Sequence, residues 1–355
     1  MGNLSLSYTS QCQLQKEPPM PPRLTIAIPT LNRADLLPRA IESALVQTSR
    51  DIEILVSDNG STDETRQVIQ RFEGRGVRTF SHARTMSAAQ HGTFLMHQAQ
   101  GEFFLGLSDD DYIEPEFAAE VIALFDCHPE LSFVYTGCAV HYEDCQVPAI
   151  VGPSVESGMD FIGAHYADRR EVSWCACVTR VKDLREIGPQ PDDRSIGDMF
   201  FWTKLAFRGS VGCVPRILSH YILLRPQKQN DNVSHGTAVP AWGRESATLA
   251  REAFAAARGA GASATYLAQL RRNSRRHVAR SVANQFVWTR VRGTSAFKAL
   301  SWLPACVPLL CFGLDIWMRL AAALLLPRSL LRSLLLRGAA RLAKARGHGS
   351  AYVHA

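Results

Sequence analysis

The segment from Leu24 to Asp111 decides the fold, and three pieces of it carry the pattern. They read LTIAIPTLNR (24–33), IEILVSDNGSTDET (52–65) and EFFLGLSDDD (102–111). Each opens with a short apolar run, typical of a strand buried on both faces of a sheet, and each ends in polar residues. Stretches with helical spacing lie between and after them, at 34–47, 63–72 and 87–99. The alternation predicts an α/β fold with a mainly parallel, Rossmann-like sheet flanked by helices.

The polar ends of the predicted strands are the first candidate site. They read Pro29-Thr30, Asp58-Asn59-Gly60 and Asp109-Asp110-Asp111. Ligands of such sheets bind beyond the carboxyl ends of the strands. Consecutive carboxylates raise one another's pKa unless a cation lies near, and hard oxygen ligands favour Mg2+ or Mn2+. The alternative interpretation of this DDD segment is an acidic turn that caps the next helix.

Taken together, the three segments resemble the nucleotide-binding half of inverting glycosyltransferases with the GT-A fold, over roughly Arg23–His128. The resemblance implies a nucleotide-sugar donor and a Mn2+ or Mg2+ ion bound by Asp111 or Asp110. Relatives often have DSDD where this chain has Ser108 in the first place, so the working pair among the three Asp residues stays open. The resemblance also implies the residues that contact the donor. Pro29, Thr30 and Arg33 would lie beside the base, and Asp58 with Asn59 would lie at a base N–H. Asp109 would lie near the ribose.

The acceptor half of such an enzyme needs one carboxylate that takes the proton of the acceptor hydroxyl. Members of the family place it at the start of a helix before aromatic residues, and the segment 196–202 (IGDMFFW) is similar. Asp198 is therefore the candidate base, with Asp192 and Asp193 as rivals. Its alternative role is that of a carboxylate that only stabilises a helix N-terminus. In the following segment, Arg225 and His235 are candidates for contact with the diphosphate.

The C-terminal part of the chain is strongly basic. Residues 258–346 hold sixteen Lys and Arg against the single acid Asp315, which gives +15 and leaves −9 for residues 1–252. The apolar run 299–326 is long enough to span a bilayer, but it contains two prolines, Asp315 and Arg319. Basic residues on the far side of the run favour a re-entrant or interfacial segment. The partner expected for this tail is an anionic membrane surface, and the alternative is a C-terminal helix packed on the protein itself. If the tail binds the membrane, a chain ending at residue 290 is expected to be soluble.

Five regions follow from these patterns: a flexible segment (1–22), a nucleotide-sugar-binding half (23–130), an acceptor-binding half (131–240), a basic helical extension (241–298) and a membrane-associating tail (299–355). Nine scattered cysteines, interpreted as buried thiols, and a polar N-terminus favour a reducing compartment, so the expected location is the cytoplasmic face of a bacterial inner membrane.

The function expected from the sequence is transfer of a sugar, with inversion, to the hydroxyl of a glycan or lipid-linked acceptor in cell-surface polysaccharide, lipopolysaccharide or glycolipid synthesis. Transfer to a polyprenyl phosphate is the main rival. A non-catalytic basic protein that binds membranes or nucleic acid is the alternative from another class, but it leaves the Asp motifs unexplained, so no nucleic acid is expected as a partner. A dinucleotide-dependent dehydrogenase is disfavoured, since no G-x-G-x-x-G follows the first strand.

Overall fold

A computed structural model describes residues 21–142, 145–189, 191, 197–223, 239–307 and 313–349. Within these residues, ten strands join one sheet. The strands are β1 (Leu24–Thr30), β2 (Ile52–Asp58), β3 (Val77–Ser81), β4 (Phe103–Gly106), β5 (Tyr112–Ile113), β6 (Leu131–Tyr142), β7 (Cys145–Pro148), β8 (Val155–Ser157), β9 (Cys177–Arg180) and β10 (Ser210–Ile222).

The sheet runs in the order β3-β2-β1-β4-β9-β6-β10-β5, with β7 beside β6 and β8 beside β10. Strands β3, β2, β1 and β4 pair in parallel, and β6 pairs in parallel with β10. The single strand β9 is antiparallel to both β4 and β6, so the carboxyl ends of β1, β2, β4, β6 and β10 all meet at one edge. The expected α/β fold with a mainly parallel sheet is confirmed, and the segments 23–130 and 131–240 contribute to the same sheet.

Helices cover both faces of the sheet. They are α1 (Leu37–Leu45), α2 (Thr65–Gln70), α3 (Ala88–Gln98), α4 (Phe117–Cys127), α5 (Gly158–Tyr166), α6 (Val181–Ile187), α7 (Gly197–Leu205), α8 (Val239–Gly259), α9 (Ala264–Val291), α10 (Ala296–Ser301), α11 (Leu303–Cys306), α12 (Leu314–Leu325) and α13 (Arg328–Gly349).

Alternate residues of β1 serve the two faces, as the pleat of a strand requires. Ile26 and Ile28 pack into one apolar cluster with α1, α2 and α4. Ala27 packs into the other, which continues through α3 and α5–α9 to Phe286. A strand that is buried on both sides needs apolar residues at successive positions, and this is why β1 is a continuous apolar run rather than an alternating one.

Several predicted boundaries were wrong for local reasons. Helix α1 begins at Leu37 rather than Ala34, because the preceding loop contains Asn32 with φ of 54° and Pro38 lies at the first helical positions. The Ser61-x-x-Glu64 spacing favours a capping box at the start of α2, but this capping box does not form. Instead, the Ser61 hydroxyl accepts the Asn32 N–H at 2.8 Å, and Asp63 accepts the Thr65 N–H at 3.0 Å.

The apolar segment 173–180 begins as a 3-10 turn, Trp174–Ala176, and only Cys177–Arg180 joins the sheet. The turn lets the Trp174 indole lie on Gly106, where a Cβ atom would be 2.2 Å from the indole Nε1. Cys175 is thereby removed from the strand ladder. Five of the seven cysteines among the described residues are buried as expected, but Cys127 is exposed and Cys145 is half-buried.

The C-terminal helices pack on the protein. Helix α12 lies along α9, and Ile316, Leu320 and Ala323 are buried in the cluster that contains Phe286. Helix α13 crosses β7. Much of the apolar run 299–326 therefore has one face against the protein's own core; residues 308–312 lie outside the described part. In the ranges that the structure describes, no helix is both long and apolar enough to cross a membrane.

Candidate active site

The carboxyl ends of β1 and β2 bring two of the predicted donor residues side by side. Thr30 and Asp58 are register partners, and Asp58 is fully buried. Its carboxylate accepts the Ser61 N–H at 2.9 Å and the Arg66 Nε–H at 3.1 Å. These contacts use two of about four lone-pair positions, so the group keeps capacity for a further donor.

Asn59 and Gly60 shape the loop opposite. The Asn59 amide donates to the Met86 carbonyl at 3.0 Å and accepts the Met86 N–H at 2.9 Å. Gly60 has φ of 83°, and a Cβ there would lie 3.1 Å from the Thr85 nitrogen. The contacts of Asn59 described here thus hold the loop rather than leave its amide open to a ligand.

Arg33 lies in the loop after β1, near the half-buried Pro29. Its backbone N–H donates to the Thr65 hydroxyl at 3.0 Å, and its side chain is only 8% exposed. The guanidinium Nε is buried without a hydrogen-bond partner among the described residues. A buried charged donor without a partner is costly, so Arg33 is poised to meet an anionic or carbonyl acceptor.

The three consecutive aspartates differ from one another. Burial, and then the charge of Asp110, raises the pKa of Asp109 to about 7, although the Thr30 hydroxyl and Arg33 act against it. Burial, and then Asp110, also raises the pKa of Asp111 well above its ordinary value, while Asp111 accepts the Ile222 N–H at 2.9 Å. Asp110 is half-exposed. The cluster is a concentration of carboxylates that an added cation would stabilise.

The donor set of this cluster fits a hard divalent cation. No group of three or more His, Cys, Asp or Glu side chains converges on one point within the described ranges. Mg2+ and related ions are usually held by one or two carboxylates, with phosphate oxygens and water completing the shell. Asp110 and Asp111 supply ligands of that type and number.

Asp198 lies in the first turn of α7, as predicted. Its carboxylate accepts the Met199 N–H at 2.7 Å. Burial, followed by the nearby Glu245, raises the pKa of Asp198 to about 6 despite the backbone hydrogen bonds that lower it. The rivals Asp192 and Asp193, and the segment with Arg225 and His235, lie outside the described residues.

Tyr221, near the end of β10, connects the two parts of the site. Burial, and then the charges of Asp111, Asp110 and Asp198, raises the pKa of its phenol. The next residue, Ile222, donates its N–H to Asp111 at 2.9 Å. Tyr221 and Asp198 also line one cavity. Sequence analysis missed Tyr221, although it could have been found by applying the strand-end rule to β10.

His91, on α3, has a structural environment. It is 3% exposed and hydrogen-bonds through Nε2 to the Ser57 hydroxyl at 2.8 Å. Burial, and then the neighbouring His82, lowers the pKa of His91 to about 4. His91 is therefore a neutral core histidine at physiological pH.

Comparison with known proteins finds a family that the first part of the described chain resembles. Residues 25–145 match the family described as Glycosyl transferase family 2. A chondroitin synthase of Pasteurella multocida (strain Pm70) is 34% identical over 120 residues, which cover 32% of this chain and 12% of that protein. A GalNAc(5)-diNAcBac-PP-undecaprenol beta-1,3-glucosyltransferase of Campylobacter jejuni is 37% identical over 93 residues, or 25% of this chain and 30% of that one.

Solved structures extend the likeness in fold to nearly the whole chain. The TarS 1–349 structure from S. aureus, in complex with UDP, has a TM-score of 0.58 at 14% identity and covers 93% of both chains. The mannosyltransferase PcManGT from Pyrobaculum calidifontis, in complex with GDP-Man and Mn2+, has a TM-score of 0.50 at 17% identity and covers 93% of this chain and 90% of its own. The chain therefore carries a glycosyl transferase family 2 domain within a fold of the GT-A type.

Proposed function

We propose that this chain transfers a sugar from a nucleoside diphosphate sugar to an acceptor hydroxyl with inversion at the anomeric carbon. The observation that carries the proposal is that the end of β10 joins the two acidic groups: the Ile222 N–H donates to Asp111 at 2.9 Å, and the adjacent Tyr221 lines one cavity with Asp198. A metal-binding carboxylate cluster and a separate proton acceptor are the two parts that a single displacement needs. The family relatives named above, which act in glycan and lipid-linked saccharide synthesis by their descriptions, support a place in cell-surface polysaccharide, lipopolysaccharide or glycolipid synthesis.

The donor would lie along the carboxyl ends of β1, β2 and β4. Thr30 and Pro29 border the base, and the remaining lone pairs of Asp58 accept a base N–H. The unpartnered Nε–H of Arg33 supplies a donor to the nucleotide. Asp109 lies next to Thr30, where a ribose hydroxyl would follow the base. Asn59 would act indirectly, because it fixes the loop at Met86.

Asp111 and Asp110 would hold Mn2+ or Mg2+ on the donor side of Tyr221. When bound, such an ion supplies charge stabilisation to the leaving diphosphate. The Mn2+ and GDP-Man in the PcManGT structure support a divalent ion in this type of fold.

Asp198 would act as the general base. Its raised pKa of about 6 leaves the carboxylate mostly ionised at neutral pH, yet closer to the pKa that makes proton transfer efficient than an exposed aspartate would be. The carboxylate takes the proton of the acceptor hydroxyl while that oxygen attacks the anomeric carbon from the face opposite the diphosphate. This geometry inverts the configuration.

The enzyme would work at an anionic membrane surface, on the cytoplasmic side of the bacterial inner membrane where nucleotide sugars are made. Large apolar side chains remain exposed on α10 and α12 even though the other faces of these helices pack inward; Phe297 is 83% exposed, Leu325 79% and Leu314 77%. All three side chains belong to the segment 258–346, which carries a net charge of +15. Apolar insertion and attraction to anionic lipid together stabilise peripheral binding.

The test is a panel of UDP-, GDP- and dTDP-sugars read by thermal shift with and without Mn2+, followed by NMR of the product's anomeric configuration. One donor should raise the melting temperature only with Mn2+. Asp111→Asn should lose this Mn2+ dependence, because the variant keeps an oxygen to accept the Ile222 N–H but loses the charge. Retention of configuration, or full turnover in EDTA, would contradict the proposed mechanism.

A further inference from the structure

A cavity of about 470 Å3 lies between the sheet edge and the C-terminal helices. Its lining includes Tyr221 of β10 and Asp198 of α7. It also includes residues of the C-terminal helices: Trp242 of α8, Ser281 of α9 and Arg346 of α13. The volume falls within the roughly 300–1,000 Å3 typical of small-molecule sites. We name this cavity the acceptor chamber.

The wall of the acceptor chamber combines aromatic rings with polar groups that lack partners. Trp202, Trp242 and Tyr221 supply rings, and the Trp242 Nε1–H donates to the Ser281 hydroxyl at 2.9 Å. Both ring nitrogens of the chamber residue His165 are buried without a hydrogen-bond partner among the described residues. The same holds for Trp202 Nε1. A buried polar group without a partner destabilises the protein, so these groups favour a ligand that brings both donors and acceptors.

The charges of the chamber disfavour an anionic ligand. Both arginines among its described lining residues already face carboxylates: Arg170 pairs with Glu156 at 2.8 and 3.0 Å, and Arg346 pairs with Glu171 at 2.7 and 3.0 Å. The lining also includes the acids Asp168, Glu171 and Asp198. Among the described lining residues, a phosphate placed here would meet these carboxylates and no uncommitted guanidinium.

We propose that the acceptor chamber binds the sugar ring of a neutral saccharide acceptor, with its reacting hydroxyl at Asp198. This proposal rests on the proposed function. A pyranose presents C–H faces to aromatic rings and hydroxyl groups, each both donor and acceptor, to groups such as His165. The C-terminal helices are then part of the substrate site, and the acceptor that reacts is a saccharide hydroxyl rather than a polyprenyl phosphate.

The test measures binding of a panel of methyl glycosides (glucoside, galactoside, mannoside, N-acetylglucosaminide and rhamnoside) by saturation-transfer NMR on the full chain, with citronellyl phosphate as the anionic lipid probe. At least one glycoside should bind and should act as acceptor with the matching nucleotide sugar. Trp242→Ala should raise the KM for that glycoside about 10-fold or more, because an aromatic contact surface is lost. Donor hydrolysis and nucleotide affinity should not change.

Two controls separate a binding role from damage to the fold. Trp242→Phe keeps a ring and should restore most acceptor binding, whereas Trp317→Ala removes a 42% exposed tryptophan outside the chamber and should have no effect. The proposal is overturned if no glycoside binds, if citronellyl phosphate is the acceptor, or if Trp242→Ala leaves the glycoside KM unchanged. A chain that binds glycosides in this Trp242-dependent way but neither binds nor hydrolyses any nucleotide sugar would instead contradict the proposed function alone.

Discussion

At the scale of single residues, the site is organised by where carboxylates are buried. Asp109 and Asp111 are buried on either side of the half-exposed Asp110, and this raises the pKa of both. The pKa of Asp198 is raised for a related reason, since burial and the nearby Glu245 both disfavour its charged form. A cation that arrives with the donor would stabilise the charges of the cluster, and the hydroxyl proton of the acceptor would neutralise Asp198 during the reaction.

The role of Asp198 predicts a defined pH profile. A base must be ionised to act, so turnover should be present above the raised pKa and fall as the pH drops through about 6. Asp198→Asn should lower turnover ~100-fold or more and abolish that limb of the profile, with nucleotide affinity nearly unchanged. Steady-state kinetics from pH 5 to 8, with nucleotide titration by calorimetry, measure both effects.

The matched control is Asp51→Asn, which changes an exposed aspartate at the opposite edge of the sheet, where its carbonyl accepts the Arg23 N–H. It should leave the profile intact. If Asp198→Asn reduces nucleotide binding as much as turnover, the residue is structural, and a base in the segment 192–196 becomes the better candidate.

At the scale of elements, α13 packs on β7 and α9 and is also attached to the body of the protein through Arg346. Arg346 donates to the Pro148 carbonyl at 2.6 Å and forms a two-pronged ion pair with Glu171. Within α13, Leu331 and Ala339 are buried against the protein, whereas Leu334 and Leu342 are about half exposed. In the structure, α13 is held near its first end by apolar contacts and near its last end by Arg346. Arg346 also lines the acceptor chamber.

Removal of that arginine should loosen the end of α13 without unfolding the protein. Arg346→Ala should speed backbone deuterium exchange in residues 339–346 several-fold, because partly exposed ion pairs contribute at most about 1 kcal/mol to global stability. Exchange in α9 should stay slow. Arg337→Ala, an exposed residue of the same helix, is the control and should change neither rate. Unchanged exchange in Arg346→Ala would show that apolar packing alone holds the helix end.

At the scale of the whole molecule, the tail and the body are one packed unit. Helix α12 covers α9 where Val282 and Phe286 are fully buried. A chain ending at residue 290 would expose that surface, so the structure does not support the expectation that residues 1–290 are soluble by themselves. Membrane binding is better tested by substitutions on the exposed face of the full chain.

The full chain should therefore float with vesicles that contain anionic lipid and much less with neutral ones. Phe297→Glu should weaken vesicle binding about 10-fold or more, since it removes an 83% exposed aromatic ring and adds a negative charge. High salt should release the protein only in part, because screening leaves apolar insertion intact. Val46→Glu alters a 55% exposed residue directly after α1, and this variant should bind vesicles normally. Equal loss in both variants would argue against a defined membrane face.

The fold of the donor half could be predicted from the sequence. Buried parallel strands need continuous apolar runs, and the polar residues after them must meet at one edge, so Thr30, Asp58 and Asp109 could be placed together from their spacing alone. Which residues of the acceptor half come together depends on the tertiary structure. Tyr221, His165 and Trp242 come from distant segments whose proximity depends on how β10, α5 and α8 pack, which no local pattern encodes. The placement of the C-terminal helices also depends on tertiary structure. An apolar helical face is equally suited to lipid and to protein, and only the presence of α9 beside it determines which side is buried.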